Sequence, residues 1–492
     1  MPRQMTPPIV PIDNFNLGGL ADSKWSGIKF SLHKMIGFNP HQIPGLLRVA
    51  QKMKNAYTTG DQINEFCKNS IASVNGHTYY FSYESGKVWM RNGSTGVITL
   101  VATVAAALGE SKILGAYEYQ NYIYIATEKK VHRIPSNVAS TPQEWTDNLV
   151  LNWAEFNNGD KELHPMRDQN LVLYIGDGNL LAQVDAGTFS PDALDIAPPL
   201  RIKSLGKIGT DLLIGTFVSD KVTKTELFRW NTYSGSFQVS NQIDEVGINA
   251  FLQTDNFVYV QAGLWGRIYV YDYINNRLES FKTVPGEYSP LRYATCNPDA
   301  VATISGIALF GMSNGLGDPC DEGVYAIGRH SRNYPYILDL PYPISEREED
   351  GSFALSGVEI GSITVSGFDV FVTWRRTVGN VVTVGLDILD YSNKLNGAYI
   401  DSRVMSNIRT MNTNFDKFFV AYASLPAQTD IQILYSKNYG QYTPTTTKTD
   451  PDRNILFSEG DRIDATTLQV RLKMVTNGND APEVESAGVQ LI

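Results

Sequence analysis

Cysteine is scarce in this sequence, and the three that occur, Cys67, Cys296 and Cys320, are widely spaced. They are too few for a disulfide framework or for a zinc site with four cysteine ligands. Cys296 and Cys320 could still pair if the segment between them folds back. The first eight residues lack the apolar core of a secretory signal, and no run of 18 apolar residues occurs. The sequence therefore predicts a protein without a standard export signal or a membrane span.

Motifs of common catalytic sites are also missing. The six histidines are dispersed, and neither an HExxH nor a CxxC spacing occurs. A phosphate-binding P-loop is absent as well. We therefore expect no metal and no cofactor. Glycosidases need only two carboxylates at a set separation, so the sequence neither suggests nor excludes them.

The charge of the chain is acidic overall but unevenly distributed. The 41 basic and 51 acidic residues give a net charge of −10, which does not fit a nucleic-acid-binding surface. Residues 1–60 contain seven basic and two acidic residues, a local charge of +5, so the remainder carries −15. This segment is either a basic arm that docks on an acidic partner or a solvated polar loop.

A pair of short apolar strands separated by a polar turn recurs seven times along the chain. The first strands of these pairs begin at positions 41 to 61 residues apart, namely Thr78, Tyr122, Leu171, Leu212, Phe257, Ile307 and Phe368. Repeats of this length are typical of propellers and other arrays. Most of these strands are apolar at consecutive positions, which requires both faces of each sheet to be covered.

These features predict an all-β fold, a β-propeller of six or seven blades with an extended N-terminal arm and a small C-terminal β-sandwich unit. Packed β-sandwiches are the competing interpretation, but they do not explain the regular period. We assign residues 1–60 to the arm, with one short helix near Ser31 to Ile36, residues 61–408 to the propeller and residues 409–492 to the C-terminal β unit. Apolar residues alternate with polar ones from Leu468 to Met474, which predicts a strand buried on one face.

Three local features have both a structural and a functional interpretation. Ser436 to Tyr442 resembles a degenerate Asp-box turn, which is a hairpin device in sialidases and other propellers. The charged run Glu346 to Asp350 lacks the spacing of a calcium loop, so a solvated loop is the simpler interpretation. Trp265 and Tyr342 are candidates for stacking on sugars, although aromatic residues in propellers usually belong to the core.

The N-terminal segment also carries a resemblance to a known class of proteins. Residues 13–28, Asp-Asn-Phe-Asn-Leu-Gly-Gly-Leu-Ala-Asp-Ser-Lys-Trp-Ser-Gly-Ile, are followed by Gly37-Phe-Asn-Pro-His and Pro44-Gly-Leu. Together they resemble the opening of tailed-bacteriophage virion proteins. The last strands, Leu468 to Leu491, are similar to the closing β unit of those proteins. The resemblance implies a tail hub, nozzle or tail-tip subunit that assembles as a ring around the DNA channel.

On this resemblance the protein is a structural component of the virion tail, made in the host cytoplasm, and is not an enzyme. Its partners would be other tail or adaptor proteins and further copies of itself in a hexameric ring, and genomic DNA would pass without specific binding. The arm would supply the interface through Phe15, Leu17, Lys24, Trp25, Lys29, Lys34 and Phe38. Two alternatives stay open, a propeller that binds host-surface glycans and a propeller glycosidase or lyase.

Overall fold

The computed structural model of the chain describes residues 9–21, 25, 29–43, 45–57, 60–104, 110, 112–284, 294–314, 321–406, 413–445, 447–449, 454–457 and 463–491. The N-terminal elements are β1 (Ile9–Ile12), α1 (Phe15–Gly18), β2 (Lys34–Ile36), β3 (Leu47–Arg48) and β4 (Gln51–Asn55). The helix predicted near Ser31 to Ile36 is therefore wrong, because Lys34–Ile36 is a strand that pairs with strands on both of its sides.

Five consecutive antiparallel sheets of four strands form blades 1 to 5. Their strands are β5 (Cys67–Ala72), β6 (Thr78–Ser82), β7 (Lys87–Arg91) and β8 (Ile98–Thr103) in blade 1; β9 (Gly115–Tyr119), β10 (Tyr122–Ala126), β11 (Lys130–Pro135) and β12 (Val150–Glu155) in blade 2; β13 (Met166–Gln169), β14 (Val172–Asp177), β15 (Leu180–Asp185) and β16 (Thr188–Asp195) in blade 3; β17 (Arg201–Ile208), β18 (Asp211–Phe217), β19 (Thr225–Trp230) and β20 (Val239–Ile243) in blade 4; and β21 (Ile248–Gln253), β22 (Val258–Ala262), β23 (Arg267–Asp272) and β24 (Arg277–Thr283) in blade 5. A helix, α2 (Pro142–Asn148), lies before β12 and is capped by the Thr141 side chain.

Two further blades complete the ring. Blade 6 contains β25 (Ala294–Thr295), β26 (Val301–Ile304), β27 (Ile307–Asn314), β28 (Gly323–Gly328) and β29 (Ile337–Tyr342); blade 7 contains β30 (Val358–Ser366), β31 (Asp369–Val378), β32 (Val381–Lys394) and β4. The innermost strand of each blade, which in blade 6 is β26, contacts the innermost strand of the next blade. The ring closes where β30 of blade 7 contacts β5 of blade 1. These seven inner strands therefore enclose an axial channel. The propeller predicted from the sequence is confirmed, and of the six or seven blades predicted it has seven.

The seven repeats in the sequence correspond to the second and third strands of the seven blades. All residues of β6, β18 and β22 are buried, which confirms that both faces of these sheets are covered. Apolar clusters fill the spaces between neighbouring blades. The approach of the backbones is close at Gly361, where a Cβ atom would lie 2.0 Å from the carbonyl oxygen of Cys67.

The fourth strand of blade 7 comes from the N-terminal segment. β4 pairs antiparallel with β32, and Met53 lies opposite Leu389. Both side chains are buried in the largest apolar cluster of the described residues. The N-terminal arm is thus extended, as predicted, and it is laid along the rest of the chain, where it closes the ring.

The C-terminal unit is a sandwich of two sheets. Its strands are β33 (Tyr399–Asp401), β34 (Thr413–Tyr422), β35 (Asp430–Lys437), β36 (Thr443–Pro444), β37 (Thr447–Thr449), β38 (Asn454–Phe457), β39 (Ile463–Ala465), β40 (Leu468–Val475) and β41 (Glu483–Leu491). One sheet has the order β1-β41-β34-β38-β37, and the other, β2-β33-β40-β35-β36, continues through β2 and β29 into blade 6. Burial alternates along β40 as predicted, and Phe418 stacks on Tyr435 at 6.4 Å between the sheets. The sandwich is therefore fused to the propeller through one shared sheet.

Candidate functional site

The axial channel holds a cavity of about 300 Å³, in whose wall the ionisable residues are Tyr117, Glu118, Arg167 and Asp299. The inner strands that form this wall carry polar side chains because their inward positions face the channel instead of a neighbouring sheet. A polar cavity on the axis is the first place at which a propeller could hold a ligand.

Polar contacts link every neighbouring pair of blades around this channel. In order from blade 1 they are Ser73 to Glu118 (2.9 Å), Tyr117 to Asp168, Lys207 to Asp168 (2.7 Å), Ser204 to the Ile248 carbonyl (2.8 Å), Thr303 to the Gln253 carbonyl (2.7 Å), Asn297 to the Ile360 carbonyl (2.6 Å) and Lys68 to Glu359 (3.4 Å). Each of these carboxylates is held by a donor or a cation. The contacts stabilise the ring, because each ties two inner strands together.

The protonation of the channel carboxylates follows from their partners. Burial raises the pKa of Asp299 to about 6, although the Asn69 amide and the positive charge of Arg167 act in the opposite direction. Asn69 donates a hydrogen bond to Asp299 across the channel, from blade 1 to blade 6. Burial also acts to raise the pKa of Asp168, but hydrogen bonds from Lys207 and Tyr117 outweigh it and leave that pKa lowered.

Replacing Asp299 with Asn is expected to change how stability depends on pH. An aspartate whose pKa rises on folding binds its proton more tightly in the folded chain, so its contribution to the free energy of unfolding falls as the pH rises from the ordinary value of roughly 4 to about 6. Urea unfolding of the wild type and D299N across this interval measures the effect. The wild-type value minus the D299N value should fall with pH and then level out, and a difference independent of pH would contradict the assignment.

Asp168 supplies a control of opposite sign for this experiment. Its pKa is lowered in the folded chain, so its contribution to stability is present at neutral pH and is lost as the pH falls. The wild-type value minus the D168N value should therefore rise with pH. Two slopes of the same sign would show that the pH dependence does not come from these two carboxylates.

Exposed apolar side chains are concentrated at one end of the propeller, which we call the turn face. At this end short turns connect the first strand to the second, and the third to the fourth. Its exposed apolar residues are Val74, Leu171, Tyr233, Phe237, Phe257, Tyr273, Ile274, Phe368 and Tyr391. The sequence analysis places Leu171, Phe257 and Phe368 at the starts of strands. In the structure each lies in the turn one residue before its strand and is exposed, by 82%, 44% and 82% respectively.

Two pockets open on the turn face. Pocket A, of about 520 Å³, lies between blades 4 and 5, and its lining includes Lys207, Asp255, Phe257, Asp272, Tyr273 and Glu279. Pocket B, of about 510 Å³, lies between blades 6 and 7. Its lining includes the arm residues His41 and Gln51, together with Arg329, Asp339, Phe368 and Tyr391. Tyr342, one of the two aromatics noted in the sequence, lines pocket B, whereas Trp265 lines neither pocket.

The predicted interface residues of the arm have different surroundings. Phe15 and Phe38 are fully buried in the core of the chain itself, so they are not available to a partner. Lys34 forms an ion pair with Asp321 at 2.7 Å, and Leu17 is half-buried. Lys29 is exposed and lies over the Phe30 ring, while Lys24 lies outside the described residues.

Trp25 is the arm residue with the largest exposed aromatic surface. Its side chain is 38% exposed, and its ring meets that of Tyr439 edge-on at 5.3 Å. Tyr439 belongs to the segment that resembles an Asp-box turn. In that segment Ser436 donates a hydrogen bond to the Gly440 carbonyl at 2.6 Å, which is consistent with a hairpin device.

The opposite end of the propeller carries one apolar hairpin. β31 and β32 are 10 and 14 residues long, and their tip exposes Val378, Val381 and Val382 by 54%, 68% and 56%. The turn begins at Gly379, which has a φ of 59° and so favours glycine.

Other candidate sites from the sequence are structural. In the charged run, Glu348 pairs with Arg376 at 2.5 Å, and the Asp350 carboxylate accepts a hydrogen bond from the Ser352 amide. Cys67 and Cys296 are buried free thiols, and the possible pairing with Cys320 falls outside the described residues. No group of three or more potential metal ligands is found among the residues that the structure describes. In that part of the chain no helix is long and apolar enough to cross a membrane.

No protein-family model matches the chain. No curated protein matches it significantly. Among solved structures it is similar to the extracellular domain of BT4673 from B. thetaiotaomicron, with 13% identity and a TM-score of 0.44 over 84% of this chain and 47% of that one. It is similar to the Dos1 propeller, with 11% identity and a TM-score of 0.43 over 76% and 95%. It is also similar to an exo-β-1,3-galactanase from Phanerochaete chrysosporium, with 9% identity and a TM-score of 0.29 over 68% and 97%.

Proposed function

We propose that the protein is a structural subunit of a bacteriophage tail, of the hub, nozzle or tail-tip type, and that it acts through protein surfaces and not through catalysis. The observation that carries this proposal is the valine hairpin formed by β31 and β32. Contiguous exposed apolar surface of this kind marks a site that a partner covers. The resemblance of the N-terminal segment and of the last strands to virion proteins supports the same role.

The geometry of the hairpin favours insertion into a partner. Val378 lies opposite Val381, and Thr377 lies opposite Val382. Because side chains alternate between the two faces of a strand, Val378 and Val381 share one face of the tip while Val382 lies on the other. A tip that exposes valine on both faces is buried best between two elements of a neighbouring molecule.

Apolar residues at the other end of the molecule would complete such an assembly. Val74 and Leu171 lie on the turn face, outside pockets A and B, and each is exposed by about four fifths. Different apolar residues at opposite ends allow a heterologous contact between copies, and such contacts form a ring when the rotation from one copy to the next closes. The channel supports a non-catalytic role, since its carboxylates are occupied in holding the blades together.

The hairpin proposal is tested by replacing all three valines with serine, V378S/V381S/V382S. The variant is expected to stay folded, because substitutions at exposed positions change stability by only about 0.5 kcal/mol each. It should lose the ring assembly that the wild type forms, as measured by light scattering and native mass spectrometry. The matched control is V150S/L151S, which removes two exposed apolar side chains from blade 2. A triple variant that assembles like the wild type would rule out the hairpin as the contact.

The location of the protein tests the proposal directly. Immunogold electron microscopy with an antibody to this chain should place gold at the tail of purified virus particles. Particles without gold, together with protein free in the lysate, would overturn the tail assignment. The hexameric state is then read from the symmetry of the isolated ring.

A propeller that binds host-surface glycans is a second candidate function. The specific observation that favours it is the pair of pockets on the turn face, each bordered by exposed aromatic rings. Binding of this kind is compatible with a place in a tail, because Val74 and Leu171 lie outside both pockets and the valine hairpin lies at the opposite end of the propeller.

A further inference from the structure

We propose that pockets A and B, which are separated by a single ridge of side chains, form one groove across blades 4 to 7 that binds a neutral oligosaccharide chain. The inference rests on the glycan-binding candidate function and names its site and ligand class. Both pockets fall in the range of about 300–1,000 Å³ that is usual for small-molecule sites. Four features of the groove indicate the ligand, namely the contact between the two pockets, their aromatic surface, their hydrogen-bonding capacity and their charge.

The walls of the two pockets touch each other. Arg329 of pocket B lies 3.8 Å from the carboxylate of Asp255 in pocket A. The same guanidinium lies 4.6 Å above the ring of Tyr336, and Tyr336 meets Phe257 of pocket A edge-on at 5.5 Å. A Cβ atom on Gly306 would collide with Asp255, so the blade 6 turn lies directly against pocket A. A ligand that fills one pocket therefore reaches the other by crossing a single ridge.

Aromatic rings border both pockets and are open to solvent. Phe257 and Tyr273 border pocket A, and Phe368 and Tyr391 border pocket B. Their exposed fractions run from 44% to 82%. Flat apolar surfaces of this size stack well on the C–H faces of pyranose rings, and four of them along one groove favour a chain of several sugar units.

Three buried polar atoms in the wall of pocket B have no hydrogen-bonding partner among the described residues, namely His41 Nδ1, Asp339 Oδ2 and Gln51 Oε1. His41 Nε2 lies 2.9 Å from Asp339 Oδ1, so an imidazole that donates to this carboxylate presents Nδ1 as an acceptor. With a neutral His41 and an ionised Asp339, all three atoms accept hydrogen bonds. Hydroxyl groups donate them, and a polyhydroxylated ligand supplies several close together.

The charges of the groove disfavour an ionic ligand. The carboxylates of pocket A each have a cationic partner, Arg329 for Asp255 and Arg277 for Asp272 and Glu279. Lys207 is paired with Asp168, and in pocket B the Asp339 carboxylate lies against the His41 ring. An ionic ligand would have to compete with these existing pairs, whereas a neutral ligand leaves them in place. A neutral chain is the ligand that both pockets accept.

The test uses the full-length protein on a printed array of neutral, uronic-acid-containing and sialylated oligosaccharides, beside an array of peptides. Neutral oligosaccharides are expected to bind, and calorimetry with a length series should show affinity rising until both pockets are filled. F368A in pocket B and Y273A in pocket A should each weaken binding by about tenfold, the loss expected when one stacking ring is removed. Y233A is the matched control, because Tyr233 is an exposed tyrosine on the same face outside both pockets.

Several outcomes would overturn the proposal. Binding to acidic oligosaccharides alone, or to peptides and to no saccharide, would refute the ligand class, as would an array without signal. Equal loss in Y233A, or no loss in F368A and Y273A, would refute the site. The groove variants should keep the assembly state of the wild type, and the valine-hairpin variant should keep saccharide binding, so failure of the tail proposal is distinguished from failure of this one.

Discussion

Removal of residues 1–57 is expected to abolish cooperative folding of the protein. The truncation deletes β4, which leaves blade 7 with three strands and exposes the edge of β32 together with Leu389. It also deletes β1 and β3 from the last strand of the sandwich, and β2 from the sheet that joins the sandwich to blade 6. Circular dichroism on heating should show no single sharp transition, and most of the truncated chain should be recovered as aggregate. A truncated chain that melts like the wild type would contradict the role of the arm in closing the ring.

A point variant tests the same strand without deleting it. Met53 is 5% exposed and packs in the core, so M53A should lower the free energy of unfolding by roughly 2–5 kcal/mol. The neighbouring residue Lys54 is half exposed and forms an ion pair with Asp390. When the Lys54 side chain is removed, Lys52 still lies 3.7 Å from the Asp390 carboxylate. K54A should therefore change stability by less than about 0.5 kcal/mol. Urea unfolding measures the free energy of unfolding of both variants. If M53A lost no more stability than K54A, strand pairing alone, and not burial of Met53, would hold β4 in place.

Replacement of Arg471 with methionine is the second substitution with a large expected effect. Its guanidinium donates two hydrogen bonds to Asp401, at 2.7 and 2.8 Å, and lies between the rings of Tyr399 and Tyr442. The Asp401 side chain is only 2% exposed. R471M leaves this carboxylate buried without its cation, which costs roughly 3–5 kcal/mol of stability. The loss is read from urea unfolding at neutral pH.

The double variant D401N/R471M separates the ion pair from packing. It removes both charges, so it should recover a large part of the stability lost in R471M. R471K keeps the charge but cannot make two parallel hydrogen bonds, and its stability should lie between that of R471M and that of the wild type. A stability of R471M within about 0.5 kcal/mol of the wild type would show that the pair contributes little.

The strands that the sequence predicted are those buried on both faces. The second and third strands of each blade show continuous apolar runs because a neighbouring blade covers each side, as in β18. The first strands are less apolar, because one side faces the channel; β13 reads Met-Arg-Asp-Gln. The fourth strands, such as β24, lie at the outside of the ring and are largely exposed. The hydrophobic pattern therefore located each blade but predicted only its second and third strands.

The turn-face groove was not predicted, and its residues explain why. Phe257 and Phe368 adjoin apolar strands, so in the sequence they look like the first residues of those strands. Only the turn that precedes each strand shows that their side chains face solvent. An aromatic residue directly after a turn residue, as in Gly367-Phe368, is the one local signal that could have indicated exposure. The juxtaposition of Asp255 with Arg329 joins residues of blades 5 and 6 and has no sequence signature.

The sequence by itself determined the all-β class, the sevenfold repeat and the alternating strand β40, because each depends on local periodicity and on which side chains must leave water. Tertiary structure decided what local pattern does not encode. Gln51–Asn55 forms a strand because β32 offers it an open edge of hydrogen-bonding groups. The groove exists because ring closure brings turns of successive blades side by side. Phe15 and Phe38 are buried, and Lys34 is paired, because their partners lie hundreds of residues away along the chain.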